Sequence, residues 1–408
     1  MKVLIVGSGG REHSLAEAFA KDVKKSDIYV APGNGGIALD YKCLPLRSKE
    51  EIVRWCKENR PELVMVGPEQ YLAEGLSNSL NAEQIPCVGP SQEAAKIESS
   101  KIFAKTLMTK YHIPTASYVA FEDKDQALAY VRYMGKYPLV IKANGLAAGK
   151  GVIIAENQKQ AENAIQALEN KVVVEEYLKG WEVSLFVITD GKDFKTTIFS
   201  QDHKQLGEND TGPNTGGMGA FAPVKEAEPY RKQIEEQIVA PILEGLKAEG
   251  CPYKGFLYCG LMITEEGPKV LEFNCRLGDP ETQAILPLLQ TSFTEVCYAI
   301  LNNKVSDLKL EWSPQSSVCV VLASQGYPGT FPTGFPVIIN SPITSKIFFA
   351  GVENKDGQLI TSGGRVLSLV ALGKNLSEAR RKVYQDINKV NFTGKYFRRD
   401  ISLRKNKF

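Results

Sequence analysis

Three polar side chains that could hold a metal-bound phosphate alternate along one short segment of the sequence. Glu272, Asn274 and Arg276 follow the turn residues Gly267-Pro268, and the pattern predicts a strand that enters from a hairpin. Alternate side chains of a strand share a face, so these three are expected on one face and the apolar residues between them on the other. Carboxylate and amide oxygens suit a hard cation such as magnesium, and a guanidinium group suits phosphate oxygens. The alternative is an edge strand with a solvated polar face.

A lysine and a glycine-rich loop form a second group that could act on phosphate. Lys142 shares a face with Val140 on a predicted strand at 139–142, and a lysine on so apolar a strand is expected to have an anion partner. The loop at 145–151 offers small residues and a second lysine, as a flexible phosphate cover requires. Its glycines and its lysine are Gly145, Gly149, Lys150 and Gly151. The Walker A pattern fails at position 151, and a plain hairpin with a surface lysine remains the alternative.

An acidic and aromatic segment follows the apolar residues 172–174. It consists of Glu175, Glu176, Tyr177 and Leu178. Backbone groups at such a strand end could pair with the edge of adenine, and Glu182 could accept hydrogen bonds from ribose hydroxyls. Because many strands end in carboxylates, this pattern alone indicates a nucleotide site only weakly.

Glycine also follows several short apolar runs near the start of the chain. The residues concerned are Gly9 and Gly10, Asn34, and the run Gly67, Pro68 and Glu69. Where a strand turns into a helix, the backbone N–H groups of the helix N-terminus can hold an anion. The dinucleotide-binding fingerprint needs a third glycine that is missing near His13, so dehydrogenase chemistry is only weakly supported. A sugar-phosphate site and plain tight-turn packing are the two other interpretations.

Two later loops carry small polar residues and glycine. The first includes Asp202, Asn214, Thr215, Gly216, Gly217 and Met218; the second includes Gly363, Gly364 and Arg365. The first suits a loop that folds over a small polar substrate, and the arginine of the second could clamp a phosphate. A turn with a surface arginine is the alternative there. His203 could contact a ligand or lie solvated in its loop, and with three histidines in the chain a histidine-based metal site is not expected.

The elements that would position these residues divide the chain into three parts. Strands alternating with helices over residues 1–100 predict a parallel sheet, with ligands at the carboxyl ends of its strands. Residues 101–302 are predicted to form a second domain, in which residues from about 115 to 190 make a small α+β lid. After a linker near 303–315, residues 316–408 are predicted to be β-rich. The expected fold class is therefore α/β.

Composition narrows the class of protein. The 408 residues carry a formal net charge of +2, which gives no reason to expect nucleic acid or an acidic membrane surface as a partner. No apolar run approaches the roughly 20 residues that cross a bilayer. The eight cysteines show no metal-ligand spacing, and most lie among apolar residues, as free buried thiols do. We expect a cytoplasmic, monomeric protein that acts on small molecules.

Taken together, these residues resemble the ATP-grasp ligases and, within them, the phosphoribosylamine–glycine ligase family. The resemblance runs almost end to end and includes the stretches GSGGREH at 7–13, GLAAGKG at 145–151, DTGPNTGGMG at 210–219 and YFRRD at 396–400. Its most specific part is RLGDPETQ at 276–283. The resemblance implies an ATP-grasp fold behind an N-terminal pre-ATP-grasp domain. It also implies an enzyme that joins glycine to 5-phosphoribosylamine in purine biosynthesis, with ATP and magnesium or manganese.

The resemblance further implies roles for individual residues. Lys101 and Lys142 would hold ATP phosphates under the closing loop at 145–151, segment 175–178 would hold adenine, and Glu182 would hold the ribose. Glu272 and Asn274 would bind the metal, and Arg276 would steady the transferred phosphoryl group, so Arg276 and Lys142 are the expected catalytic residues. Phosphoribosylamine would lie between the N-terminal glycine turns and the segment 362–365.

The sequence departs from the family pattern at three places, and two other functions are possible alternatives. Trp181 stands where relatives usually carry a polar or acidic residue, segment 290–293 is less acidic than expected for a contact with the glycine ammonium, and segment 259–262 offers no further metal carboxylate. An ATP-grasp carboxylase or formate-using transformylase should lack the GDPE run at 278–281. A non-catalytic nucleotide sensor should have lost Lys101, Lys142, Glu272 or Asn274, and all four are present.

Overall fold

The N-terminal sheet has five parallel strands in this computed structural model, which describes residues 1–146, 151–168 and 171–403. In spatial order the strands are Lys42–Cys43, Ile28–Pro32, Val3–Gly7, Leu63–Val66 and Cys87–Val88. The helices between them are Gly10–Phe19, Lys49–Asn59, Glu69–Ala73 and Leu76–Ala82, with 3₁₀ turns at Lys25–Asp27 and Ile37–Leu39. Two of the inner strands are buried along their whole length, as parallel strands with both faces covered usually are. The parallel sheet predicted from the sequence is confirmed.

Two short helices, Lys96–Ser99 and Lys101–Lys110, connect the N-terminal sheet to the rest of the chain. Ser100 separates them: its backbone is extended, and its side chain accepts a hydrogen bond from the Phe103 N–H. This serine is therefore the N-cap of the second helix, which begins at Lys101 and directs its first turn toward the middle of the molecule.

The lid is a four-stranded antiparallel sheet with two helices. In spatial order its strands are Tyr118–Phe121, Val172–Glu176, Leu139–Ala143 and Val152–Ala155, and its helices are Lys124–Met134 and Gln158–Ala167. A separate apolar cluster, which includes Val131, Ile141 and Ile165, packs between them. Trp181–Thr189, which the sequence analysis assigned to the lid, pairs with Gly255–Thr264 in another sheet. The predicted lid boundary near 190 is therefore too late.

The central sheet contains the strand that carries the predicted metal ligands. Its antiparallel strands, in spatial order, are Phe194–Thr196, Trp181–Thr189, Gly255–Thr264 and Gly267–Asn274. Its two central strands contain long apolar runs, and every residue of Gly255–Thr264 is buried. The hairpin predicted around Gly267 is confirmed, although a register shift at Gly260 interrupts its pairing.

Two helical regions of the middle of the chain are interrupted. The first begins as a 3₁₀ turn, Lys225–Tyr230, continues as Arg231–Ile234, and passes through a π turn, Glu235–Val239, before Ala240–Ala248. Pro241, which lacks an N–H group, follows this π turn closely. The second consists of Glu281–Ile285, a 3₁₀ turn Leu286–Leu288, and Phe293–Leu301. Ser292 caps the last of these by accepting from the Glu295 N–H.

The C-terminal sheet takes strands from two distant parts of the chain. In spatial order it contains Gln201–Asp202, Gly219–Ala222, Ser316–Ser324, Arg365–Gly373 and Lys346–Phe349, and Lys395–Tyr396 also pairs with the third of these. Smaller strand pairs are Gln205–Gly207 with Thr211–Asn214, Val352–Lys355 with Gln358–Thr361, and Ile338–Ile339 with Val390–Asn391. The last helix is Leu376–Ile387, and a 3₁₀ turn lies at Val305–Asp307. The predicted β-rich C-terminal region is confirmed.

One large apolar cluster joins the N-terminal, central and C-terminal sheets. It includes Val64 from the N-terminal sheet, Leu257 from the central sheet and Val320 from the C-terminal sheet, all with no exposed surface. The lid has a separate core of its own. Across the described ranges 1–146, 151–168 and 171–403, no helix is long and apolar enough to cross a membrane.

Candidate active site

A cavity of about 470 Å³ lies where the lid, the central sheet and the helix Lys101–Lys110 meet. Most residues predicted for the site line this cavity: Pro68, Glu69, Lys101, Lys142, Gly145, Gly151, Glu175, Glu176, Tyr177, Leu178, Glu182, Asp202, Asn214, Thr215, Gly216, Glu272, Asn274, Arg276 and Arg365. All four sheets contribute to it. The tertiary structure therefore brings together polar segments that are far apart in the sequence.

Other predicted substrate residues do not line the cavity: Gly9, Gly10, Asn34, Gly67, Gly217, Met218, Gly363 and Gly364. Predicted Gly149 and Lys150 lie outside the described residues. Asn34 is engaged by backbone groups: its Nδ2 donates to Ser8 O and Phe349 O, and its Oδ1 accepts from the Gly36 and Ile37 N–H groups. Its amide therefore joins the N-terminal turns to the C-terminal domain.

The chain itself supplies the anion at the first glycine turn. The Gly9 N–H donates to Oε2 of Glu12 at 2.6 Å, and Glu12 is 1% exposed. Gly67 packs against the same carboxylate so closely that a Cβ there would overlap it. The N-terminus of helix Gly10–Phe19 is therefore capped by Glu12, at the position where the sequence analysis expected a bound anion. The glycines at 9 and 67 leave room for this buried carboxylate.

Two lysines meet one glutamate deep in the cavity. Lys142 Nζ lies 2.9 Å from Glu175 Oε2 and also donates to Leu271 O at 3.1 Å. Lys105 Nζ lies 3.1 Å from the same carboxylate oxygen. The expected anion partner of Lys142 is therefore Glu175, whose side chain is 3% exposed. Glu175 Oε1 is also buried and has no hydrogen-bond partner among the described residues.

Lys101 is the first residue of the helix Lys101–Lys110, one turn before Lys105. Its Nζ donates to Gly145 O at 3.0 Å, so the helix contacts the start of the glycine-rich loop. Burial lowers the pKa of Lys101, against the opposing effect of Glu272. The ammonium group is thus partly desolvated, which strengthens its attraction to a phosphate that enters the cavity.

An apolar slot lies beside these charges. Ala116, Leu178 and Met262 form a small buried cluster against which Leu271 packs. Met108, Val140, Val152 and Ile154 extend the apolar lining. Side chains from the helix, the lid and the central sheet thus form a surface suited to the flat face of a nucleobase. Leu178 is the one member of this group that the sequence pattern indicated as a site residue.

A polar network occupies the side of the cavity near Glu182. Lys204 Nζ lies 3.0 Å from Glu182 Oε2 and 3.6 Å from Asp202 Oδ1. Burial, with help from nearby Glu281, raises the pKa of Asp202 although Lys204 opposes the shift. His203, which lies between Asp202 and Lys204 in the sequence, is buried, and its Nε2 accepts from the Ser402 N–H. Its contacts are therefore those of a packing residue.

Glu272 and Asn274 both face the cavity from the last strand of the central sheet. Burial opposes ionisation of Glu272, but nearby cations outweigh this effect and lower its pKa. The cations are Lys204, Lys142, Lys101 and Arg276. The hydrogen-bonding surroundings of Asn274 orient its amide nitrogen toward Glu98 Oε1 and Phe273 O, each at 3.0 Å. The amide oxygen then points away from these acceptors and can serve as a metal ligand.

The donor set fits a divalent cation that binds together with nucleotide phosphates. No group of three or more His, Cys, Asp or Glu side chains is arranged to hold a metal within the part of the chain that the structure describes. One carboxylate and one amide oxygen are sparse for a metal bound by protein alone. They suffice for magnesium, which usually keeps one or two protein ligands beside phosphate and water oxygens.

Arg276 is held between two carboxylates. Its Nε donates to Glu69 Oε2 at 3.2 Å, and its Nη2 donates to Glu98 Oε1 at 3.0 Å. Burial disfavours the charged form of Glu69, but Arg276 and Arg11 outweigh it and lower its pKa to about 2. The guanidinium group is thus fixed at the junction of the N-terminal sheet, the connecting helices and the central sheet.

Arg365 connects the C-terminal sheet to the cavity. Its Nη1 donates to Gly216 O at 2.7 Å and to Asp279 O at 2.9 Å, and lies 3.2 Å from Asp279 Oδ1. The adjacent glycines 363 and 364 pack against Gly351 and Tyr327. Arg365 therefore fixes two loops at the wall of the cavity, and the two glycines allow its strand to begin there.

Several lining residues were given no individual role from the sequence: Arg11, Glu98, Lys105, Lys204, Asp279 and Glu281. Arg11, Asp279 and Glu281 lie within the stretches GSGGREH and RLGDPETQ, and two of the others had a signal in their spacing. Lys105 is four residues after Lys101 on a helix, so the two share a face. Lys204 is two residues after Asp202, the spacing of side chains on one face of an extended segment. Glu98 had no such signal, because its contacts depend on a strand end some 180 residues away.

Comparison with known proteins agrees with this geometry. Three family models match the chain: phosphoribosylglycinamide synthetase N domain at residues 1–98, its ATP-grasp (A) domain at 99–282 and its C domain at 317–404. The chain is 44% identical to a phosphoribosylamine–glycine ligase of Caldanaerobacter subterraneus subsp. tengcongensis, with 98% of this chain and 99% of the relative covered. It is 43% identical to the enzyme of Pasteurella multocida, with 99% of this chain and 98% of the relative covered.

A solved structure is also similar. The phosphoribosylamine–glycine ligase of Thermotoga maritima superposes with a TM-score of 0.85 at 36% identity, covering 98% of this chain and 100% of that one. ATP-grasp ligases use ATP, typically with a divalent metal. The chain belongs to the phosphoribosylglycinamide synthetase family of ATP-grasp ligases.

Proposed function

We propose that this chain joins glycine to 5-phosphoribosylamine with ATP, giving glycinamide ribonucleotide, ADP and phosphate. In the first step a carboxylate oxygen of glycine attacks the γ-phosphorus of ATP, and ADP leaves. In the second step the amine of phosphoribosylamine attacks the carbonyl carbon of glycyl phosphate and loses a proton, and phosphate leaves. The family relationship and the cavity both support this reaction.

The nucleotide would lie between the lid and the central sheet. The apolar slot around Ala116, Leu178 and Met262 would hold adenine, and the free Oε1 of Glu175 could accept from its amino group. Glu182 would accept from the ribose hydroxyls at the exposed side of the slot. Lys101 and Lys142 would then face the phosphates, near Gly145 and Gly151, which line the same cavity.

Phosphoryl transfer depends mainly on positioning and on neutralising charge. Glu272 and Asn274 would hold the metal, magnesium or manganese, which when bound would neutralise charge on the phosphates. Arg276, fixed by Glu69 and Glu98, would steady the transferred phosphoryl group and then the acyl phosphate. Described residues of the cavity include no histidine and no cysteine, which suits a reaction without a protein nucleophile.

The acceptor half of the cavity lies toward the N-terminal and C-terminal sheets. Pro68 and Glu69 line it on one side, and Asn214, Thr215 and Gly216 line it on the other. Arg365 is occupied with Gly216 and Asp279, so we propose that it shapes this half of the cavity as well as attracting the sugar phosphate. Closure of the lid on nucleotide would keep water from glycyl phosphate.

The observation that carries the proposal is the convergence of Lys142, Glu272 and Arg276 on one cavity. The test is ADP release from purified protein with magnesium-ATP and glycine, with and without freshly generated phosphoribosylamine. Turnover that requires both co-substrates is the expected result. Turnover with bicarbonate or formate on a purine-pathway ribonucleotide would instead assign the chain to a sister ATP-grasp function.

Replacing Glu272 tests the metal assignment. Glu272→Ala is expected to lower turnover by at least about a hundredfold, because one of two protein ligands is lost from a charge-neutralising metal. Binding of Mn²⁺ in the presence of ADP, followed by electron paramagnetic resonance, should weaken in parallel. Glu265→Ala, at the exposed turn of the same hairpin, is the matched control. Wild-type turnover of Glu272→Ala at limiting magnesium would reject the metal role.

A further inference from the structure

Lys105 is a buried cation that the proposed reaction does not use. Its side chain is 3% exposed, and it lies on the inner face of the helix Lys101–Lys110. Its Nζ donates to Thr115 Oγ1 at 2.8 Å and to Ala116 O at 3.4 Å, in addition to its ion pair with Glu175. A lysine is seldom buried so completely without a compensating role.

The charges of Lys105, Lys142 and Glu175 indicate what Lys105 does. Lys142 and Glu175 alone would form a neutral pair, and a lysine neutralised by a buried glutamate attracts a polyphosphate weakly. Lys105 shares the same oxygen, Glu175 Oε2, so two cations and one carboxylate leave a net charge of +1. Because Lys105 also pairs with Glu175, the carboxylate is held in place and the cluster keeps a positive charge in the nucleotide cavity.

Lys105 and Lys142 differ in their exposure to the cavity. Lys142 is the more exposed of the pair, with 9% of its side chain accessible, and its strand leads directly into the glycine-rich loop. Lys105 also lines the cavity, but its Nζ is engaged by Glu175, Thr115 and Ala116. A ligand phosphate would therefore contact Lys142 more readily than Lys105.

The geometry points to Lys105 as a positioning residue for ATP: it holds Glu175 by a second ion pair and so leaves the charge of Lys142 available to the phosphates. This inference rests on the proposed nucleotide site. It does not depend on glycine or phosphoribosylamine, because it concerns nucleotide binding alone.

The test compares ATP with adenosine. Lys105→Met keeps the length of the side chain and removes its charge, and we expect it to raise the Kd of magnesium-ATP about tenfold, the size typical of losing a charge-assisted contact. The Kd of adenosine, measured by competition with a fluorescent nucleotide, should change less than about threefold, because the apolar slot is untouched and Lys142 still holds Glu175. Lys110→Met makes the same change at an exposed position of the same helix and should alter neither value.

Each possible result supports or overturns the role of Lys105 in ATP binding. An equal loss of ATP and adenosine affinity would show that Lys105 only maintains the shape of the cavity, and an unchanged ATP affinity would show that its charge is irrelevant; either result overturns the inference. Lys105→Gln takes the place of the methionine variant if that protein does not fold. Wild-type protein that binds ATP but shows no glycine-dependent turnover would refute the proposed ligase and leave this test intact.

Discussion

At the scale of single residues, the site depends on carboxylates that hold other functional groups. Glu98 is the clearest case: Oε1 accepts from Arg276 Nη2 and from the Asn274 amide, and Oε2 accepts from the Cys275 N–H at 2.7 Å. One side chain therefore fixes three consecutive positions, including a proposed metal ligand and the proposed phosphoryl-binding arginine. Its side chain is 8% exposed, and burial raises its pKa.

Glu98→Gln should therefore lower turnover and raise the magnesium requirement together. Glutamine presents a donor where Glu98 accepts from Asn274, Cys275 or Arg276, so at least one of these hydrogen bonds is lost, which we expect to cost about 1–3 kcal/mol of folding free energy. We expect kcat to fall at least about tenfold with little change in the KM for ATP. Steady-state kinetics at varied magnesium and chemical denaturation measure both effects. Glu93→Gln, an exposed glutamate nearby, is the control, and an unchanged magnesium dependence would contradict the prediction.

A second prediction at this scale concerns pH. Burial lowers the pKa of Lys105 to about 8, even though Glu175 opposes the shift. Above that pH the lysine loses its proton, the net charge of its cluster with Lys142 and Glu175 falls from +1 to 0, and ATP affinity should weaken. Glu176 and the ring of Tyr118, 5.4 Å from Nζ, are the other groups that face it.

Calorimetric titration of magnesium-ATP between pH 6.5 and 9.5 measures this effect. Bound phosphates should raise the pKa of Lys105, so proton uptake on binding is expected near pH 8 in buffers of different ionisation enthalpy. Lys105→Met should lack both the alkaline weakening and the proton uptake. A variant that retains both would assign the titration to another group.

At the scale of elements, the hairpin of strands Gln205–Gly207 and Thr211–Asn214 depends on the end of the chain. Arg398 has no exposed surface; its Nη1 donates to Gln205 O at 3.0 Å, and it pairs with Asp210 at 2.9 Å and with Asp400 at 2.7 Å. The conspicuous YFRRD stretch near the C-terminus is therefore a support for the loop that lines the acceptor half of the cavity.

Arg398→Met should loosen that hairpin. Gln205 O, Asp210 and Asp400 lose their partner, which we expect to cost about 1–3 kcal/mol of folding free energy. Amide hydrogen exchange should accelerate across residues 201–219, and the KM for phosphoribosylamine should rise more than the KM for ATP. Arg399→Met changes the exposed neighbour and serves as the control. Unchanged exchange in 201–219 would remove the supporting role from Arg398.

At the scale of the whole molecule, the C-terminal sheet cannot be separated from the domain before it. Gly219–Ala222, from the middle of the chain, pairs with Ser316–Ser324, and the large apolar cluster extends from Leu4 to Ile401. The lid is different, because its core is confined to residues 121–174. We therefore expect the lid to move and unfold more independently than the other three sheets.

A chain that ends at residue 302 tests this arrangement. Without Ser316–Ser324, the strand Gly219–Ala222 would lose its main partner and expose an apolar edge, so aggregation or loss of cooperative unfolding is expected. Size-exclusion chromatography and calorimetry of the shortened chain measure this, with the full chain as reference. A soluble 1–302 chain with wild-type ATP affinity would contradict the prediction.

The local order of this protein follows from its sequence. The alternation of polar and apolar residues placed Glu272, Asn274 and Arg276 near a strand end, and strands that alternate with helices predicted the parallel sheet. The polar loops at 145–151 and 209–219 were recognisable because so many glycines make a poor core. These features depend on residues a few positions apart, where backbone geometry dictates which side chains share a face.

Which polar groups satisfy one another depends on how the separate sheets pack. Glu175, expected at adenine, pairs with two lysines; Asn34, expected at substrate, joins loops; and Glu98, not singled out at all, positions Asn274 and Arg276. A buried charge must find a partner wherever the fold brings one, and the partners of Glu175 and Glu98 come from positions 33 to 178 residues away. Local patterns carry no record of such pairings, because they form only when separate sheets pack around one cavity.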